Sequence, residues 1–265
     1  MKQITSKSNE YIKNIRRLKQ KKFRDETGNY YIEGLRLIGE ALRTDTHLES
    51  ILFCSDLLIS DFGLQAIKIA EEKGIEIIEV TEEIFQSFSL KEGPQGLAAV
   101  GKQKWIDLDE VISPKGLWIV LDKIQDPGNL GTIMRSLDGA GGKGLILVGN
   151  STDAYHPTAV RSSTGALFSK SICKTTESKL IDWKKTTTVP FIGTVCETAI
   201  SYKQYEYPED MILFMGSEQK GLQKEIIAIC DELITIPMGG SVDSLNLACA
   251  ASIVLFEIYD KRNRK

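Results

Sequence analysis

Two uninterrupted apolar runs of strand length, LWIVLD over 117–122 and GLILVG over 144–149, constrain the fold more than any other feature. Neither alternates in polarity, so both faces of each strand must be covered, as in a parallel sheet flanked by helices. Between them stand a Pro127-Gly128 turn and a helical pattern over Asn129–Gly139, with Leu130, Ile133, Met134 and Leu137 at the i, i+3, i+4, i+7 positions. This is a βαβ unit. Further strands are expected at Pro190–Val195, Met211–Met215 and Leu233–Pro237, with a closing apolar helix over Leu247–Tyr259.

Upstream, Tyr30–Val100 reads as a smaller α/β unit. It has an apolar helix face at Leu35, Ile38 and Leu42, strands near Ile51–Cys54 and Ile75–Val80, and a helix over Phe62–Lys73. Residues 101–115 lose periodicity and contain Gly and Pro, which marks a connection. The expected organisation is a first domain over 1–100, a linker over 101–115 and an open-sheet α/β domain over 116–265.

The net charge of −3 is unevenly spread: residues 1–24 carry nine Lys or Arg against one acid, Glu10. Tyr11, Ile15 and Leu18 recur among them at helical spacing, so the segment reads as a short amphipathic helix with a basic face suited to a phosphate backbone. Lys7, Lys13, Arg16, Arg17, Lys21, Lys22 and Arg24, with Arg36 beyond them, are the candidate RNA-binding residues. A merely solvated cationic helix is the competing reading. Five scattered cysteines with no C-x-x-C pair, and only two histidines, His47 and His156, suggest a reducing compartment and no metal site. The N-terminus shows no apolar leader and no run reaches membrane-spanning length, so a cytoplasmic protein without a membrane partner is expected.

Ligands of open parallel sheets bind beyond the C-terminal strand ends. Gly139–Gly144 matches G-x-G-x-x-G but lies between a helix and a following strand, the reverse of the dinucleotide-binding order, and no P-loop is present. The informative loops are Asp126–Arg135, Gly216–Leu222 and Ile236–Asn246. They carry Asn129, Arg135, Glu218, Ser244 and Asn246 among glycines. Locally, Asn129 is most simply a helix N-cap, Arg135 a solvated helix charge, Glu218 the start of a helix and Ser244 the cap of the last one. Together the loops suit an uncharged planar ligand held largely by backbone groups, with an arginine for a phosphate or sugar.

D-P-x-N-x-G-x-x-x-R, G-S-E-x-x-G-L and I-P-M-x-G-x-x-x-S-L-N, in this order, closely resemble the three motifs of the SpoU, or TrmH-like, RNA 2'-O-ribose methyltransferases of the SPOUT superfamily. The first hundred residues are similar to the substrate-binding domain often joined to them, through Ser6-x-Ser8-Asn9, Tyr31-Ile32-Glu33-Gly34 and Pro94-Gln95-Gly96. The resemblance implies a small N-terminal α/β RNA-binding domain (L30e-like) followed by an α/β knotted SPOUT methyltransferase domain that forms a homodimer and uses S-adenosyl-L-methionine. It implies Thr194, Gly216, Ile236 and Leu245 at the cofactor. Asn129 and Arg135 fall in the catalytic centre, with Glu218, Ser244 and Asn246 beside them or at the substrate. The implied substrate is a ribose 2'-hydroxyl of rRNA or tRNA. A non-catalytic RNA-binding assembly factor and a small-molecule α/β enzyme are the alternatives. Intact motif positions favour catalysis over the first, and the cationic N-terminus counts against the second.

Overall fold

The computed structural model describes residues 2–111, 115–196 and 200–264. It divides into two compact units, Met1–Gln103 with Asp153–Phe168, and Lys104–Thr152 with Ser169–Lys265.

The first unit holds β1 (Lys2–Ile4), α1 (Glu10–Arg17), α2 (Lys21–Thr27), β2 (Asn29–Glu33), α3 (Leu35–Arg43), β3 (Leu48–Phe53), α4 (Asp61–Glu72), β4 (Glu76–Val80), α5 (Glu82–Phe88) and β5 (Leu97–Lys102). Its mixed sheet runs β1-β4-β3-β5-β2, with β5 antiparallel to both neighbours. The basic segment forms two helices rather than the single one expected. Asn9 caps α1 by accepting from Tyr11 N, and α2 ends on Gly28 in the left-handed region. Ile12, Ile15, Leu18 and Phe23 face inward and join Tyr31, Phe85 and Phe88 in one core. That burial orients the cationic positions between them outward.

The second unit holds β6 (Leu117–Asp122), α6 (Pro127–Gly139) and β7 (Gly144–Val148); after α7 (Pro157–Ser162), which packs in the first unit, come β8 (Ser171–Thr175), α8 (Glu177–Lys184), β9 (Phe191–Thr194), β10 (Ile200–Ser201), β11 (Met211–Met215), α9 (Lys224–Ile227), β12 (Glu232–Thr235) and α10 (Leu247–Asn263). Its seven strands are all parallel, in the order β10-β12-β9-β11-β6-β7-β8. Every residue of β6, β7 and β11 is buried, as unalternating apolar runs require.

Two features depart from the expected boundaries. Ile106 bridges Cys173, and Leu108 and Val111 lie in the core of the second unit, so part of 101–115 packs instead of merely connecting. Asp153–Phe168, inside the expected second domain, belongs to the first unit. The physical reason is local: α7 packs on β2, the Tyr155 ring lies tilted against Tyr30 with centroids 4.7 Å apart, and Asp153 pairs with a buried arginine.

Candidate functional site

The parallel sheet reverses its winding between β6 and β11. From β6 the chain builds outward through β7 and β8, then returns to build β9, β11 and β12 on the other side. Loops leaving the C-terminal ends of β6, β9, β11 and β12 therefore meet at a topological switch point, where open α/β sheets bind ligands. These loops, with helix α6 that follows the β6 loop, carry the residues of the three motifs.

Asn129 is held at the first turn of α6. Asp126, not Asn129, is the N-cap; its carboxylate accepts from Asn129 N at 2.6 Å, with Pro127 at the first helical position. An Asp directly before Pro-Gly at a strand end was a legible signal for this cap. Freed from capping, the Asn129 side chain donates from Nδ2 to Glu218 Oε1 at 3.0 Å and accepts at Oδ1 from Asn246 Nδ2 at 3.1 Å. Three residues from three loops thus share one continuous hydrogen-bonded chain.

Asn246 also works on its own helix. Its Oδ1 accepts from Ala248 N at 2.9 Å and Cys249 N at 3.2 Å, which makes it the N-cap of α10 in place of Ser244. Ser244 instead donates to Asp243 at 3.3 Å and is exposed. Glu218 does not begin a helix. It sits in a tight turn closed by paired bonds between Ser217 and Gly221, and α9 starts only at Lys224. Arg135 is exposed on α6, off the stripe of Leu130, Ile133, Met134 and Leu137 that is buried in the core.

Thr194 ends β9 and donates to Phe214 O at 2.8 Å, tying it to the end of β11. Gly216, the next residue after β11, is buried, and a Cβ there would stand 1.9 Å from Gly221 C and 2.1 Å from Leu222 N. Only glycine lets the 217–221 turn fold back on this strand end. Ile236 follows β12 and is half-buried, while Leu245 is 38 % exposed next to Asn246. At Gly239 and Gly240 a Cβ position has nothing within 4 Å, so the long loop faces open space there.

A polar network that none of the three motifs marks braces the same strand ends. The buried Asp122 carboxylate accepts from Gln223 N at 3.2 Å and from Gln223 Nε2 at 3.0 Å, and burial raises its pKa. Lys123, at φ +56°, donates to Gln223 Oε1 at 2.6 Å and pairs with Glu177 at 2.7 Å, which holds the Glu177 carboxyl below its usual range.

Of the candidate RNA-binding residues, one is misplaced. Arg24 is fully buried: its guanidinium pairs with Asp153 at 2.7 Å and donates to Leu18 O and Lys19 O, so it staples α2 instead of meeting a ligand. Lys7, Lys13, Lys21 and Lys22 form exposed pairs with Glu83, Glu10, Asp25 and Glu26. Arg16 donates to Ser87, Arg17 lies 4.0 Å over the Phe23 ring, and Arg36 is exposed. Among the described residues no group of three or more His, Cys, Asp or Glu could hold a metal, and no helix is long and apolar enough to cross a membrane.

Such an arrangement defines an α/β domain whose motif loops converge at the reversal of a parallel sheet, joined in the chain to a cation-faced α/β unit. Residues 116–256 match the model of the SpoU rRNA Methylase family, and residues 9–99 match the MRM3-like substrate binding domain. The chain belongs to the SpoU rRNA Methylase family. It is 30 % identical to the 23S rRNA (guanosine(2553)-2'-O)-methyltransferase RlmP of Bacillus subtilis over 97 % of this chain and 99 % of that one. It is 27 % identical to the 23S rRNA (uridine(2479)-2'-O)-methyltransferase of Streptomyces viridochromogenes, over 90 % and 85 %. Its fold is similar to that of the AdoMet-bound rRNA methyltransferase of Sinorhizobium meliloti, with a TM-score of 0.89 and 32 % identity over 99 % and 98 % of the two chains.

Proposed function

We propose that this protein is an S-adenosylmethionine-dependent methyltransferase that places a methyl group on a ribose 2'-hydroxyl of structured RNA, ribosomal RNA in preference to transfer RNA. The observation that carries the reading is the chain Glu218–Asn129–Asn246, which joins all three motif loops through side-chain hydrogen bonds. Nothing in a parallel sheet requires that chain for stability, since α6 and α10 are already capped by other atoms.

The residues present fit the cofactor. Thr194, Gly216, Ile236 and Leu245 offer hydroxyl, backbone and apolar surface without a formal charge, which suits an adenosine moiety. When bound, S-adenosylmethionine supplies an electrophilic methyl on a sulfonium. What remains for the chain's own residues is to hold the ribose oxygen in line and manage its proton, and positioning supplies much of the rate. Arg135 clamps the neighbouring phosphate and offsets oxyanion charge; a guanidinium carries only N–H donors and no acceptor for the proton. Within the hydrogen-bonded chain Glu218 alone is a carboxylate, and it takes the 2'-hydroxyl proton. Asn129 fixes its orientation, and Ser244 and Asn246 hold the substrate side of the loop.

The long-range organisation follows the same reading. Ile253, Phe256 and Tyr259 are exposed on α10, an apolar face consistent with homodimerisation through the C-terminal domain. The cationic faces of α1 and α2, with Arg36, deliver the RNA, and the protein works in the cytoplasm. Titration calorimetry with S-adenosylmethionine tests the cofactor assignment: saturable binding that Gly216→Ala abolishes is expected, and no heat with or without RNA would refute it.

A further inference from the structure

The first unit contains a cavity of about 310 Å³ that the proposed reaction does not use. Its walls come from the end of β2 (Tyr31, Glu33), the N-terminal turn of α3 (Leu37), the 90–91 turn and α7. Leu37, Leu90, Pro157 and Val160 give it apolar lining, His156 and Thr158 lie among them, and Lys19, Lys91 and Arg161, none of them buried, give it cationic lining open to solvent.

Two polar groups line it with hydrogen-bonding capacity to spare. Tyr31 is 2 % exposed, and its hydroxyl, close enough to the Glu33 carboxylate for that charge to oppose its ionisation, forms no hydrogen bond of good geometry among the described residues. A buried phenol in that state has given up water for at most a poorly aligned contact with Glu33, and a ligand group could complete it. Glu33 is itself buried; it accepts from Ser89 Oγ and from Leu90 N, and a carboxylate retains further acceptor capacity. Gly34, at φ +111°, precedes α3 and supplies no side-chain cap, so the first amides of that nine-residue helix add positive potential beside Lys91, whose Nζ lies 3.0 Å from where a Gly34 Cβ would stand.

We infer that this cavity is a binding site for one unpaired nucleotide of the RNA substrate. The base rests on the apolar lining with its edge read by the Tyr31 hydroxyl and the Glu33 carboxylate. Its phosphate lies among Lys19, Lys91 and Arg161. A free anion would leave the apolar lining unused, and an apolar ligand would leave the cations and Tyr31 unused; an extruded nucleotide uses both. The inference rests on the proposal that RNA is the substrate, and makes the first unit a reader of RNA structure as well as a charged surface.

The test uses the full chain and a 23S rRNA fragment substituted with 4-thiouridine. Photo-crosslinks are expected within residues 31–37, 90–91 or 157–161, and Arg161→Ala and Tyr31→Phe should each weaken RNA binding about tenfold, as for loss of one charge-assisted or buried hydrogen bond. S-adenosylmethionine affinity should stay within about twofold. Arg161 is exposed, so its replacement reports on binding even if Tyr31→Phe lowers stability. Tight RNA binding by the wild type with crosslinks only elsewhere and both variants at wild-type affinity would overturn the nucleotide site alone. No RNA binding by the wild type would overturn the RNA reading, and this site with it.

Discussion

Asn129 and Glu218 stand 89 residues apart in the chain and are joined by a 3.0 Å hydrogen bond from Nδ2 to Oε1. The bond fixes which end of the Asn129 amide faces which neighbour, because Oδ1 is committed to Asn246 on the other side. Asn129→Asp would present a second carboxylate to Glu218 and convert that hydrogen bond into a repulsion. We expect Asn129→Asp to lower kcat at least about a hundredfold with the melting temperature little changed, as for loss of a positioned group. Retention of more than half the wild-type rate in a steady-state assay would show that Asn129 is only a structural link.

Glu218 is exposed, so its removal should leave the fold intact. If it accepts the hydroxyl proton, Glu218→Gln loses about 10²–10⁴-fold in kcat while S-adenosylmethionine binding persists. A rate that is unchanged in Glu218→Gln but vanishes in Arg135→Lys would transfer the proton role away from the carboxylate.

The Arg24–Asp153 pair predicts a stability effect without a binding effect. Arg24→Met leaves the Asp153 carboxylate buried without its cation, though Tyr155 N still donates to it, and should cost about 3–5 kcal/mol in urea unfolding. Arg24→Met combined with Asp153→Leu should recover much of that loss, since two well-packed apolar groups can replace a buried pair. Simple additivity of the two single losses would contradict the pairing.

Cysteine reactivity should separate by burial. Burial pushes the Cys173 and Cys230 thiols up to about 12, so at pH 8 their thiolate fraction is about 10⁻⁴. Cys196 and Cys249 are exposed. A thiol reagent at pH 8 should label those two first in a mass-spectrometric time course, the half-buried Cys230 later, and leave Cys173 unmodified until unfolding. Early labelling of Cys173 would contradict its place in the core.

Surface ion pairs of the kind made by Lys7, Lys13, Lys21 and Lys22 are worth about 0–1 kcal/mol each and exchange readily for phosphates. RNA affinity should therefore fall steeply and linearly on a log–log salt plot, and Lys21→Glu with Lys22→Glu should flatten the slope. A salt-independent affinity would remove α1 and α2 from RNA binding.

What could be read from the sequence depended on whether a residue's role is set by its neighbours in the chain. Strands β6, β7 and β11 were legible because both faces are buried, and the stripe from Leu130 to Leu137 fixed the buried face of α6. Strand β1 was not, since three edge residues with only Ile4 buried carry no period. Arg24 hid among similar cations, because its burial depends on Asp153, far along the chain. The attachment of 153–168 to the first unit was equally silent. At the site, local rules assigned Asn129 and Ser244 to caps that Asp126 and Asn246 fill instead; only the order of the three motifs pointed to a shared centre.

The central claim is chemical: the methyl group arrives on a ribose oxygen. Incubating the purified protein with S-adenosylmethionine labelled in its methyl group and a 23S rRNA fragment, then hydrolysing the RNA in alkali, tests it directly. A 2'-O-methyl group blocks cleavage of the adjoining phosphodiester, so label is predicted in an alkali-resistant dinucleotide. Label released only in mononucleotides, or no transfer at all, would contradict the account.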